Sequence, residues 1–183
     1  KTTTSFLLEQ VLAYADRRVG VDGTVSYRWP SHEEPAANTT PESATLQRLM
    51  AKMVDDQVSD LVMEVSSHGL ASHRVEQTFF DAVVFTNFTQ DHLDFHLTME
   101  AYRDAKALLF GHHVASSLEH GKRPIAVINI DDGEGSYLAE LAKLSGARVV
   151  TYGLNLGADL RAMEIRSAVS GTTARSPAAY CWR

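Results

Sequence analysis

The sequence predicts an α/β fold with a mostly parallel sheet flanked by helices. Short β-branched apolar runs alternate with helix-periodic segments, and several runs end in clusters of polar, chemistry-bearing residues. Leu61–Val65, Phe79–Phe85, Pro124–Ile130 and Arg148–Tyr152 are the strand candidates, and 135–144 is the clearest intervening helix. Polar groups at the ends of such strands stand where an open α/β sheet binds its ligands.

At 183 residues and 44% hydrophobic, the chain is long enough to bury the core of one soluble domain. It has no apolar run of membrane-spanning length and no secretory signal, so no membrane role is expected. A formal net charge of -6 argues against a general nucleic-acid binder, leaving room for a local phosphate pocket. The single cysteine, Cys181, excludes an internal disulfide framework and fits a reducing cytoplasm.

Lys1-Thr2-Thr3-Thr4-Ser5 precedes Phe6, Leu7, Leu8, Val11 and Leu12 at helix-compatible positions. It reads as the second half of a phosphate loop, in which a lysine reaches the β/γ-phosphates and the next hydroxyl binds Mg²⁺; taken alone, an ordinary helix cap is the favoured reading. The stretch 20–34 reads as a connection, with a short strand at 24–29. Asn38-Thr39-Thr40-Pro41-Glu42 is a polar loop opening a helix through Leu46, Leu49, Met50 and Met53. It serves as a simple cap or as a loop holding a polar substrate.

Glu64 lies in Met63-Glu64-Val65-Ser66-Ser67-His68-Gly69-Leu70, at the end of a core strand. Its burial would require a cation or hydrogen bonds, and a hard Mg²⁺ ion would suit it; the alternative is an exposed strand-end acid. Arg74 could pair with a substrate carboxylate or remain solvated.

The segment Thr86–Phe110 gathers the most chemistry, with Asp91, His92, Asp94 and His96 in a loop. A helix follows, capped by Thr98, with Met99, Tyr102, Ala105, Leu109 and Phe110 near one face and Gly111–His112 as its stop. Lys106 falls on this helix between two small alanines, a setting unlike that of a purely solvated charge. Beyond Arg148–Tyr152, residues 159–169 suggest one more strand, and 171–183 form an unassigned tail.

Taken in order, KTTTS, NTTPE, MEVSSHGL, TNFTQDHLDFH, YRDAKALLF and NIDD resemble the central ATP-binding domain of the Mur ligase family, over most of 1–152. The resemblance implies a P-loop-type sheet, with residues 1–170 forming that domain. MEVSSHGL with DHLDFH favours the branch that adds a diamino acid, meso-diaminopimelate or L-lysine, to UDP-N-acetylmuramoyl-L-alanyl-D-glutamate. Such a ligase uses ATP to make an acyl phosphate, which the incoming amine attacks.

By the same resemblance, Lys1 and Thr3 meet ATP phosphates, Thr2 binds Mg²⁺, and Glu64 and His92 are magnesium ligands. Lys106 matches the lysine that carbon dioxide converts to an anionic carbamate, and Asn129 and Asp132 approach the nucleotide. Asn38, Thr39, Thr40, Ser66 and Arg74 hold the UDP-muramoyl dipeptide. His96 belongs to the signature as a structural histidine or a direct contact. A cytoplasmic monomer is expected. The glycine-rich first half of the phosphate loop is not in the sequence, so the chain alone is expected to be inactive or severely impaired. Two other readings are a non-catalytic nucleotide-binding module of the same fold and a metal-dependent phosphohydrolase built on Asp91, His92, Asp94 and His96.

Overall fold

The computed structural model describes residues 1–88, 93–169 and 171–176, and only the backbone at Leu93 and Asp94. It divides into two compact units, one of residues 1–77 and 92–106, the other of 78–91 and 107–183.

In the first unit, helix α1 (Thr2–Tyr14) leads into β1 (Val19–Asp22), β2 (Ser26–Trp29) and β3 (His32–Pro35). Helix α2 (Ser43–Asp55), strand β4 (Asp60–Met63) and the short helices α3 (Ser67–Ala71) and α4 (Leu93–His96) follow. The sheet order is β3-β2-β1-β4, with β1 and β4 parallel and the other two pairings antiparallel. Residues 20–34 are therefore more than a connection: they complete β1, form β2 and begin β3. Only four residues long and containing Gly20 and Asp22, β1 lacks strand-forming composition and is made by its place between β2 and β4.

Tyr27 and Trp29 on β2 pack with Leu49 and Met53 of α2 in a closed cluster. Helix α1 forms where its apolar residues predicted it, yet Leu7 and Val11 are exposed and Ser5 is its one buried residue.

Helix α5 (Met99–Phe110) opens in the first unit and closes in the second. The Thr98 hydroxyl accepts from the Ala101 amide at 3.1 Å, so the expected cap is present. The helix stops at Phe110, but α6 (His112–Glu119) begins at once, a turn that the sequence pattern did not distinguish from a loop. The second unit holds β5 (Ala82–Phe85), β6 (Ile125–Asn129), α7 (Gly135–Leu144), β7 (Arg148–Gly153) and β8 (Leu160–Arg161). These strands form a wholly parallel sheet in the order β5-β6-β7-β8. Phe85, Phe110, Val114, Ile128, Leu138 and Val150 are buried within this unit.

The suggested strand at 159–169 is two strands, β8 and β9 (Met163–Ala168). Where the pattern fades, β10 (Gly171–Arg175) pairs antiparallel with β9; residues 177–183 of the tail lie outside the described ones. Strand β10 is exposed along its length, so no alternation of apolar residues announces it. Among the described residues, no helix is long and apolar enough to cross a membrane.

Gly135, the first residue of α7, sits so close to the end of β6 that a Cβ there would lie 2.1 Å from the Asn129 carbonyl oxygen. Gly135→Ala should destabilise the protein by more than about 2 kcal/mol, as expected when a rigid backbone must move to accept a methyl group. Urea unfolding checks this; an unchanged midpoint would refute the close approach.

Candidate functional site

The parallel pair β1–β4 ends in two acids with opposite surroundings. The Glu64 amide donates to the Asp22 carbonyl at 2.8 Å, carrying the ladder one residue past β4. The Glu64 carboxylate is 4% exposed and set among hydroxyls. Thr2 donates to Oε2 at 3.0 Å, and Thr24 donates through its hydroxyl to Oε2 at 3.1 Å and through its amide to Oε1 at 3.2 Å. Ser5 reaches Oε1 at 3.4 Å. Gly23 makes room for this group, since a Cβ there would lie 2.6 Å from Oε1.

Among the described residues, no cationic side chain forms an ion pair with Glu64. A carboxylate ringed by hydroxyl oxygens is a donor set suited to a hard divalent cation such as Mg²⁺. Thr2 and Glu64, both expected as magnesium ligands, are thus together. Lys1 is exposed at the start of α1, with Thr3 in the same first turn, whose amides lack acceptors within the helix.

The loop before α2 is tied to the same strand end. The Thr40 hydroxyl accepts from the Ser66 amide at 2.9 Å, and its proton lies between the Glu64 carbonyl, 2.9 Å away, and the Ser66 hydroxyl, 3.2 Å away. Ser66 caps α3 by accepting from the Gly69 amide. Thr39 Oγ1 is 3.1 Å from Thr24 Oγ1, and the Tyr27 hydroxyl donates to the Asn38 carbonyl and accepts from its amide. Arg74 donates to the Thr40 carbonyl and pairs with Glu42 at 2.7 Å, so its guanidinium braces the loop. All five residues expected to hold the dipeptide belong to this unit, and four of them, Thr39, Thr40, Ser66 and Arg74, use side-chain donors or acceptors to build it.

His96 is buried, with Nε2 2.9 Å from the Ser67 hydroxyl and its ring 5.2 Å from that of Tyr102. Lys106 is half-buried between Ala105 and Ala107, its Nζ 5.0 Å from the centre of the Tyr102 ring. Asp91 and His92 lie outside the described residues, as does the side chain of Asp94.

The nucleotide candidates stand in the second unit. Asn129 donates to the Thr86 carbonyl and accepts from the Asp131 amide, while Asp132 accepts from the amides of Phe88 and Glu134. Both shape the loops at the ends of β5 and β6.

Sequence reasoning missed Asp22. It is fully buried, neither carboxylate oxygen has a hydrogen-bond partner among the described residues, and burial, then the negative charge of Glu64, pushes its pKa up to about 7. An acid between a strand run and Gly-Thr was a visible signal, obscured once 20–34 was read as a connection. Because the folded pKa is raised above the unfolded value, Asp22 binds its proton more tightly in the folded state. Its stabilising contribution is therefore complete below about pH 4 and lost as pH rises to about 7. Without divalent cations, stability should fall across that window by up to about 4 kcal/mol, and Asp22→Asn should flatten the fall. Urea unfolding of both proteins at pH 4.5 and 7.5 measures the difference; equal slopes would refute it.

Comparison with known proteins places this geometry in a family. The model of the Mur ligase middle domain matches residues 1–178. A UDP-N-acetylmuramoyl-L-alanyl-D-glutamate--2,6-diaminopimelate ligase of Bacillus velezensis is 42% identical over 173 residues, which are 94% of this chain and 34% of that protein. A protein of the same name from Geobacter metallireducens is 46% identical over 171 residues, 93% of this chain and 33% of the relative. A solved structure of a ligase so named superposes with a TM-score of 0.84 at 28% identity, covering 96% of this chain and 34% of that one. The chain thus spans about a third of the length of these relatives. With its parallel sheet, its strand-end glutamate and its threonine-rich helix start, the chain belongs to the Mur ligase family, to whose middle domain it corresponds.

Proposed function

We propose that this chain is the ATP-using part of a ligase that joins a diamino acid to UDP-N-acetylmuramoyl-L-alanyl-D-glutamate in peptidoglycan precursor synthesis. The observation that carries this reading is the pairing of Thr2 at the start of α1 with the buried Glu64 at the end of β4. It supplies oxygen donors beside a helix N-terminus, the setting that a Mg²⁺-bound polyphosphate requires. The names of the relatives favour 2,6-diaminopimelate over lysine as the added residue.

A carboxylate is a poor electrophile, so the terminal carboxylate of the dipeptide must first be phosphorylated by ATP. The amine of the diamino acid then attacks the acyl phosphate carbonyl, forming the amide and releasing phosphate. Lys1 and the first-turn amides of α1 offset charge on the transferring phosphoryl group and align it. Thr2 and Glu64, with His92 and the carbamate of Lys106, are the residues that would hold magnesium. When bound, that ion neutralises phosphate charge as a Lewis acid. Asn129 and Asp132 shape the nucleotide end, and Asn38, Thr39, Thr40, Ser66 and Arg74 present the dipeptide. No residue acts as a covalent nucleophile. The setting is a monomer in the cytoplasm; the single cysteine fits such a reducing compartment.

The parent protein tests this directly by phosphate release with Mg-ATP and the UDP-muramoyl dipeptide. Release should require both the dipeptide and meso-diaminopimelate, with L-lysine a poor replacement. Release without an acceptor amine would indicate a phosphohydrolase instead, and no release would indicate a non-catalytic module. Glu64→Gln removes the charge while keeping the shape. It should lower turnover about a hundredfold, the order seen when one charge-stabilising group is lost, and weaken Mg²⁺ binding measured by calorimetry.

A further inference from the structure

Lys106 lies one helical turn beyond Tyr102 on α5, and its Nζ is 5.0 Å from the ring centroid. The ring is 3% exposed. On another side it meets His96, itself fixed to Ser67 by the 2.9 Å hydrogen bond. Ser67, His96 and Tyr102 thus form a packed support that sets the ring against the lysine head group.

We infer that Tyr102 is a positioning residue that docks the uncarbamylated Lys106 and opposes its conversion to the carbamate. The inference rests on the reading of Lys106 as the lysine that carbon dioxide modifies. Carbamate formation takes the head group from ammonium to anion. The ammonium loses a proton to buffer, the free amine attacks the carbon of CO₂ to form an N–C bond, and the nitrogen then loses a second proton. An aromatic face attracts a cation through its quadrupole and repels an anion. The same contact therefore changes sign during the reaction, and the modified head group leaves the ring. Lys106 has two positions in this scheme, on the ring before modification and off it afterwards, and Tyr102 makes the first one competitive.

The test titrates the protein with ¹³C-bicarbonate at fixed pH and follows the carbamate carbon by NMR, assigned by its loss in Lys106→Met. Tyr102→Leu removes the ring face and should reach half-saturation at roughly three- to tenfold lower bicarbonate, the range expected for loss of one cation–π contact. Tyr102→Phe keeps the face and should match the unmodified protein. An unchanged or higher midpoint in Tyr102→Leu would overturn the inference, since simple loss of packing does not strengthen modification. If the unmodified protein forms no carbamate at Lys106, the reading of that lysine fails instead. Should Tyr102→Leu not fold, the unmutated protein decides. The ε-methylene protons of Lys106 should be shifted upfield by the ring in bicarbonate-free buffer and lose that shift as the carbamate signal grows. Retention of the shift in the carbamylated protein would overturn the inference.

Discussion

The burial of one carboxylate, Glu64, organises the first unit. A carboxylate in a residue at 4% exposure is tolerable only if its oxygens are satisfied, and here three residues from two separate places in the chain supply the donors. Thr2 and Ser5 come from the start of α1, and Thr24 from the turn between β1 and β2. Gly23 stays small because the carboxylate occupies the space of its missing Cβ. The parallel register of β1 against β4 delivers Glu64 there, so a slip by one residue would turn the acid to the other face.

The same register explains why Asp22 fares differently. Side chains alternate across a strand, and Asp22 pairs with Met63, so it faces away from Glu64 and shares the face of Gly20. Gly20 looks onto Met53 of α2, and Tyr27, opposite Asp22 in the antiparallel register, belongs to that apolar cluster. Two acids at the end of one strand pair thus meet a hydroxyl cage on one face and hydrocarbon on the other. Glu64 meets hydroxyl and amide donors, whereas Asp22, without a partner among the described residues, is better accommodated neutral.

Much of this was legible in the sequence because burial leaves a pattern. The strands of the parallel sheet and helix α7 are dense in apolar residues, and each appears within a few positions of where periodicity puts it. Short order enforced by neighbours was harder to see. Strand β1 breaks its valines with glycine and ends in aspartate, β3 is His-Glu-Glu-Pro, and β10 is exposed throughout, so the strand signal in each is weak. Within the site, Thr2 and Glu64 were expected together through the family resemblance, since residue chemistry alone left each open. Asp22 was not, because its importance lies in lacking partners, a property of tertiary packing.

The candidate site also holds side chains whose bonding capacity is already spent within the chain. Thr40 is 1% exposed and its hydroxyl is shared with the Ser66 amide and the Glu64 carbonyl. Turning that hydroxyl toward a substrate would strand a buried amide, a loss of about 1–3 kcal/mol that the new contact would have to exceed. Asn129 and Asp132 are similarly committed to loop amides and carbonyls. Among the described candidates, Lys1, Thr3 and Asn38 stand exposed, and their side chains could meet a ligand without first surrendering such bonds. Among the described residues singled out by the sequence, Thr40, Asn129 and Asp132 thus spend their side chains on holding loops in shape, whereas a ligand could reach the side chains of Lys1, Thr3 and Asn38 without breaking such bonds.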